Sequence, residues 1–368
     1  MNLSVGIVGL PNVGKSTLFN ALLKKQQALV ANYPFATIEP NIGVVAVPDE
    51  RLPKLASITQ LEEKMSSLPP IKPASVEFVD IAGLVKGASE GAGLGNKFLS
   101  HIREVSIVAH VVRVFADENI IKEGAVEPRS DYDTVNTELL LADSTTLKKA
   151  LGNKKLDSAK KAVIEKILKE VNTGKPVRSV ILSDEEKPIL QDLFLLSAKP
   201  ELIVLNIAEE EYNPEGIKKA TETYRNQKTG IDARDDNFVV ISAKIEAELA
   251  SLSEEEQKEY LAGLGLQTSG LERLIQKAYL LLGLISFLTA GVKEIRAWTI
   301  RKGTDAQEAA GEIHTDFIKK FIKAEIVSNE DFVQYNGWKG ARENGKARLE
   351  GKEYIMQDGD IVEFRIGS

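Results

Sequence analysis

Gly9-Leu10-Pro11-Asn12-Val13-Gly14-Lys15-Ser16-Thr17 reads G-x-x-x-x-G-K-S, a spacing that cradles phosphate. Upstream, Leu3 to Val8 is a short apolar run suited to a buried strand. Downstream, Thr17 to Leu23 carries apolar residues at helical spacing. Strand, loop and helix together separate this motif from a chance glycine turn. Gly9 and Gly14 lack Cβ atoms, so backbone N–H groups can close on phosphate oxygens. The helix N-terminus places partial positive charge under the anion. Lys15 neutralises the β- and γ-phosphates, and Ser16 offers a hydroxyl to Mg²⁺. The nucleotide-binding candidates of this stretch are Asn12, Val13, Gly14, Lys15, Ser16 and Thr17. Asn12 has two readings: a ligand to a monovalent cation such as K⁺ beside the phosphates, or simple loop shaping.

Moving outward, Ala31 to Asn41 contains two prolines and reads as a loop. Its Thr37 is the candidate for the second Mg²⁺ contact, sensing the γ-phosphate; the plain alternative is a loop threonine. Asn41 to Val47 reads as a strand. Ser75-Val76-Glu77-Phe78-Val79-Asp80 alternates strictly and runs into Asp80-Ile81-Ala82-Gly83, a D-x-x-G. In that pattern the Asp reaches Mg²⁺ through water and the Gly N–H meets the γ-phosphate. D-x-x-G alone is common, but its position at a strand end, downstream of Lys15, makes it specific. The metal-site candidates are therefore Ser16, Thr37 and Asp80, and the catalytic candidates Lys15, Thr37 and Gly83. Gly87, Gly91, Gly93 and Gly95 mark a loop expected to order on the γ-phosphate.

Ile107 to Phe115 reads as another buried strand. From Asp133 the pattern turns helical, interrupted at Gly152-Asn153 and stopped at Gly174-Lys175-Pro176. Ser183-Asp184-Glu185-Glu186 is a capping box, expected to open a further helix in which Pro188 is a misfit. Two or more long helices in an antiparallel arm are expected. Leu202 to Asn206 and Phe238 to Ile241 are strands delivering Asn206-Ile207-Ala208-Glu209 and Ser242-Ala243-Lys244. Alternating strands and helices with polar loops at strand ends indicate an α/β sheet with its site at the carboxyl edge. Beyond a helix at 270–284, the segments around Trp298, Ala306 to Phe321, and Tyr354 to Phe364 suggest a small β-grasp domain. Asp358-Gly359 is a hairpin signal there.

Composition narrows the chemistry. With no cysteine, disulfides, thiolate catalysis and Cys-bound zinc are excluded. The histidines are three and scattered, which argues against a His-based metal site. No signal peptide or bilayer-length apolar run is read, so a cytoplasmic protein with no membrane partner is expected. The net charge of −7 argues against a general DNA binder. Between Lys148 and Arg178, however, ten basic residues face three acidic ones. The ordinary reading is a solvated helix face; the sharper one is a basic arm on an acidic body.

These residues resemble the Obg-like ATPase (YchF) family, a translation-factor-related branch of the P-loop GTPases. The likeness covers essentially the whole chain. It rests on Gly9 to Thr17, Asn32 to Asn41, Asp80 to Ala88, Asn206-x-x-Glu209, Ala290 to Thr299 and Ile313-His314-Thr315-Asp316-Phe317. The resemblance implies an α/β P-loop G domain with an inserted helical coiled-coil domain and a C-terminal β-grasp TGS domain. The expected segments are 1–130 and 200–283 for the G domain, 131–199 for the arm and 284–368 for TGS. It also implies ATP binding at least equal to GTP, association with the ribosome and its RNA, and slow hydrolysis. A monomer is expected. The chain departs from the family where members carry a histidine after the strand ending at Phe115. Lys122 stands there, so no histidine-dependent mechanism is carried over.

Guanine is read in this class by N-K-x-D, whose Asp accepts from N1–H and the 2-amino group. Here Asn206, Ile207 and Glu209 stand in that pattern, with Ser242 and Ala243 completing the base site. Ile207 has no charge but is expected to cover the base, and Glu209 is one methylene longer than Asp. Losing a charge-assisted pair costs about 1.5–3 kcal/mol, enough to erase guanine selectivity. Glu209→Asp with Ile207→Lys is expected to move the protein toward GTP. Leu84 replaces the water-orienting glutamine of related GTPases and offers no hydrogen bond. Three readings remain open: a slow ATP-hydrolysing ribosomal switch, a true GTPase, and a ribosome- or RNA-binding module with incidental hydrolysis.

Overall fold

The computed structural model describes residues 3–30, 41–81, 94–114, 128–153, 156–227 and 237–367. The chain divides into two compact units, residues 1–45 with 77–278, and residues 46–76 with 279–368.

Among the described residues, the first unit holds a six-stranded sheet. Its strands are β1 (Ser4–Val8), β2 (Ile42–Ala46), β4 (Ser75–Asp80), β5 (Ile107–Arg113), β6 (Glu201–Asn206) and β7 (Phe238–Ile241); β3 (Ile71–Lys72) lies elsewhere. The order is β2-β4-β1-β5-β6-β7. β1 pairs in parallel with β4 and β5, and β5, β6 and β7 continue in parallel. Parallel strands covered on both faces read as unbroken apolar runs, and every residue of β1, β5 and β6 is buried. β2, at the edge, alternates instead. One layer beside the sheet packs Phe98, Leu99 and Ile102 with Val135 and Leu139 over Val8 and Val108. Another packs Leu205, Ile207, Tyr212, Ile245 and Leu249 with Val240.

The arm differs from its expected outline. Its first helix spans Pro128–Leu151, starting before Asp133, with proline at the first position where no N–H is needed. The first half of that helix is sheet core: Tyr132, Val135, Leu139 and Ala142 pack there. Only the second half, through Leu140 and Leu147, packs with Val163, Ile164, Ile167 and Val171 of the helix Ser158–Asn172. The Ser183–Glu186 capping box forms both its hydrogen bonds, yet the helix that follows is only Lys187–Gln191. Pro188 therefore lies in a first turn and is no misfit.

At the root of the arm a buried polar network ties it to the sheet. Glu201 accepts from Tyr132 Oη at 3.0 Å and from Arg178, and pairs with His110 Nδ1 at 3.1 Å. Burial pushes the Glu201 carboxyl up, but Arg178, His110 and Tyr132 outweigh it and hold it at about 2. His110, stacked on Tyr132 at 5.0 Å, is a core residue as its place in the strand suggested.

In the second unit, β8 (Leu284–Ala290) and β9 (Ile295–Arg301) form an antiparallel pair. β10 (Phe321–Val327), β11 (Arg348–Glu350) and β12 (Ile361–Ile366) complete the order β11-β10-β12-β8-β9-β3. The helix Ala306–Ile313, capped by Asp305, packs Ala306 and Ala309 against Phe287, Ile300, Ile326 and Val362. Asp358-Gly359 makes a turn, with Gly359 at φ 85°, but not a hairpin. The strand it enters, β12, pairs with β10 and β8 instead.

Residues 46–76, expected inside the first part of the nucleotide domain, belong to this second unit. Their helix Arg51–Glu62 packs Leu52, Leu55 and Ala56 toward β8 and β9. β3 adds to the sheet edge beside β9. Arg51 pairs with Asp358 at 2.8 Å, and Lys72 with Glu294. Glu62 accepts from the backbone N–H groups of Trp338 (3.1 Å) and Lys339 (2.6 Å), capping the helix Trp338–Glu343.

Candidate functional site

The phosphate loop joins β1 to the helix Lys15–Val30, as the motif requires. Gly9 takes φ 150°, Asn12 φ 62° and Gly14 φ 98°. Asparagine is enriched in the left-handed region, so Asn12 has a conformational reason to shape the loop. A Cβ on Gly14 would strike the Asn206 amide; one on Gly9 would lie 2.5 Å from the Val111 carbonyl oxygen. Both glycines are thus demanded by packing as well as by backbone angle.

Lys15 is 8% exposed, and its Nζ donates to the Leu10 carbonyl at 2.6 Å. That bond holds the ammonium across the loop it serves. Burial pulls the Lys15 pKa below its usual value, opposed by the charge of Asp80. Asp80 ends β4, beside Ile7 of β1 in register. Burial pushes its carboxyl up, opposed by Lys15. A desolvated cation and a desolvated carboxylate within each other's field at the end of β1 and β4 are the kind of pair found where a charged ligand binds. Ser16 and Thr17 are exposed in the first turn of the helix. A carboxylate and a hydroxyl oxygen are the hard donors Mg²⁺ takes alongside phosphate and water. Thr37 and Gly83, with Leu84 and Lys122, lie outside the described residues.

The candidate residues for reading the base stand on the loops after β6 and β7. Asn206, buried, donates from Nδ2 to the Val13 carbonyl at 2.9 Å. Its Oδ1 accepts from the Ala243 backbone N–H, also at 2.9 Å. One side chain therefore latches the phosphate loop to the Ser242-Ala243 loop. Ser242 and Ala243 are buried at the start of the helix Ala243–Leu249.

Two residues of this loop sit otherwise than expected. Ile207 is 2% exposed and packs into the core with Leu205 and Tyr212, so it offers no surface to cover a base. Glu209, on a short 3₁₀ turn, accepts from Lys244 Nζ at 2.7 Å. Lys244 stands in the quoted Ser242-Ala243-Lys244 stretch, but only the folded chain brings it to Glu209. On this geometry the Glu209→Asp, Ile207→Lys pair would bury an ammonium among apolar side chains, so it is expected to destabilise the loop rather than move the protein toward GTP.

Comparison with known proteins agrees with this architecture. A family described as "50S ribosome-binding GTPase" (MMR_HSR1) matches residues 4–149. The family YchF-GTPase_C, described as a protein of unknown function, matches residues 284–367. The chain is 47% identical to the "Ribosome-binding ATPase YchF" of Bacillus subtilis (strain 168), over 99% of both chains. It is 48% identical to the protein of the same name from Escherichia coli O157:H7, again over 99% of both. The solved structure of the Schizosaccharomyces pombe YchF GTPase superposes with a TM-score of 0.86 at 38% identity, covering 99% of this chain and 98% of that one. The likeness runs from the phosphate loop through the loops after β6 and β7 to the end of the second unit, and the chain belongs to the YchF family of P-loop proteins.

Proposed function

We propose that this chain is a slow ATP-hydrolysing switch that works in association with the ribosome. The observation that carries it is the base loop. A guanine reader needs a free carboxylate and an exposed lysine stem; here Glu209 is held by Lys244 and Ile207 is core. The relatives named ribosome-binding ATPase support the same reading. No helix among the described residues is long and apolar enough to cross a membrane.

In this reading Lys15 and the loop N–H groups bind and orient the triphosphate. Ser16 and Asp80, with Thr37, would hold Mg²⁺, which would supply positive charge to offset that of the phosphates. Asn12 is the residue that would meet K⁺. Gly83 N–H would meet the γ-phosphate. With Leu84 in place of glutamine, no side chain at that position orients the attacking water, so the unassisted rate stays at or below about 10⁻² s⁻¹. Single-turnover hydrolysis of ATP and GTP, with and without ribosomes, tests this. Lys15→Ala should abolish turnover. Unassisted turnover of tens per second, or GTP bound more than tenfold tighter than ATP, would overturn it.

A further inference from the structure

We propose that Lys244 is a specificity-determining residue, setting the base preference by keeping Glu209 from the base. The proposal rests on reading the loops after β6 and β7 as the base site. Lys244 Nζ lies 2.7 Å from Glu209 Oε1 and is also within the field of Glu210 and Glu248. The two loops are thus tied twice, by the buried Asn206–Ala243 bond and by this outer ion pair.

The chemistry of the bases gives the pair its consequence. Guanine presents two donors, N1–H and the 2-amino group, and a free carboxylate accepts from both. Adenine presents an acceptor at N1, which a free carboxylate repels. Lys244 engages Oε1 of Glu209, so Glu209 can offer guanine both oxygens free of a competing cation only by releasing Lys244. The loop therefore favours adenine by withholding an acceptor, not by reading adenine directly. Both partners are partly exposed, Lys244 at 66% and Glu209 at 33%, so the pair is weak. Its loss should shift preference by roughly three- to fivefold.

The test titrates ATP and GTP, each with Mg²⁺, calorimetrically into the full-length chain. In Lys244→Met, which keeps an aliphatic stem, the GTP-to-ATP affinity ratio should rise by about three- to fivefold. Lys244→Arg, which can still pair with Glu209, should return the wild-type ratio. In Lys244→Met combined with Glu209→Gln the gain should vanish, because no carboxylate is left to release. An unchanged ratio in Lys244→Met, or a gain that survives Glu209→Gln, overturns the proposal. Lys244→Gln serves as the second variant if Lys244→Met precipitates. The wild-type ratio alone judges the ATPase reading; the shift between variants is read whichever nucleotide the wild type prefers.

Discussion

Asn206 ties the phosphate loop to the loop after β7. It touches the Val13 carbonyl and the Ala243 N–H, and its amide fills the space a Gly14 side chain would need. Asn206→Ala would leave both backbone groups buried without that partner, at about 1–3 kcal/mol each. ATP and GTP should weaken by similar factors, since the latch positions the loops without choosing the base. Parallel titrations check this; a loss confined to one nucleotide would make Asn206 a base reader instead. The strand–loop–helix around Gly9 to Thr17 was legible in the sequence because its spacing is local: Lys15 opens the helix that follows β1, and Asp80 ends β4. The base residues were legible only in part. Nothing local distinguishes an Ile207 that faces a base from one that faces the core, and the Glu209–Lys244 pair joins residues that follow two different strands.

At the scale of elements, the arm is where pattern and structure part. Helical periodicity found two helices, the first from Asp133 where the structure begins it at Pro128, but periodicity does not tell which layer an apolar stripe meets. One helix serves two cores, and the hold of Arg178 on Glu201 depends on a pairing that no window of sequence contains. Only part of the basic cluster stays unpaired on folding: Lys166 pairs with Glu186, Lys175 with Glu170, and Arg178 is taken up by Glu201. Lys148, Lys149 and Lys160 form no ion pair among the described residues, and Lys161 only approaches Glu165 at 3.9 Å. Lys154 and Lys155 lie outside those residues. Reversing Lys148, Lys149, Lys160 and Lys161 to Glu should weaken ribosome binding. It should also flatten the plot of log K against log salt by roughly 0.7–0.9 for each phosphate no longer neutralised. Unchanged affinity and slope would return the cluster to a solvated face, with the C-terminal unit the better ribosome-binding surface.

At the scale of the molecule, the second unit is not a tail. Its sheet is assembled from residues 279–368 together with 46–76, and the chain passes between units three times. Sequence order hid this, because helix Arg51–Glu62 and β3 lie between two strands of the other sheet. A fragment of residues 284–368 alone lacks the helix whose Leu52, Leu55 and Ala56 are buried, and lacks the Glu62 cap. It should bind a hydrophobic dye and melt without a cooperative transition, whereas fusing residues 46–76 to it should restore one. Cooperative melting of the bare fragment would show that the helix is dispensable.

The same chain path has a consequence in time. Helix Arg51–Glu62 leaves the ribosome long before the sheet it covers, about 200 residues earlier in the chain. At roughly 5–20 residues per second, its apolar face waits on the order of ten to forty seconds for a partner. Synthesis of this protein therefore carries an interval in which Leu52, Leu55 and Ala56 exist before β8 and β9, the strands beside which they are buried in the finished fold.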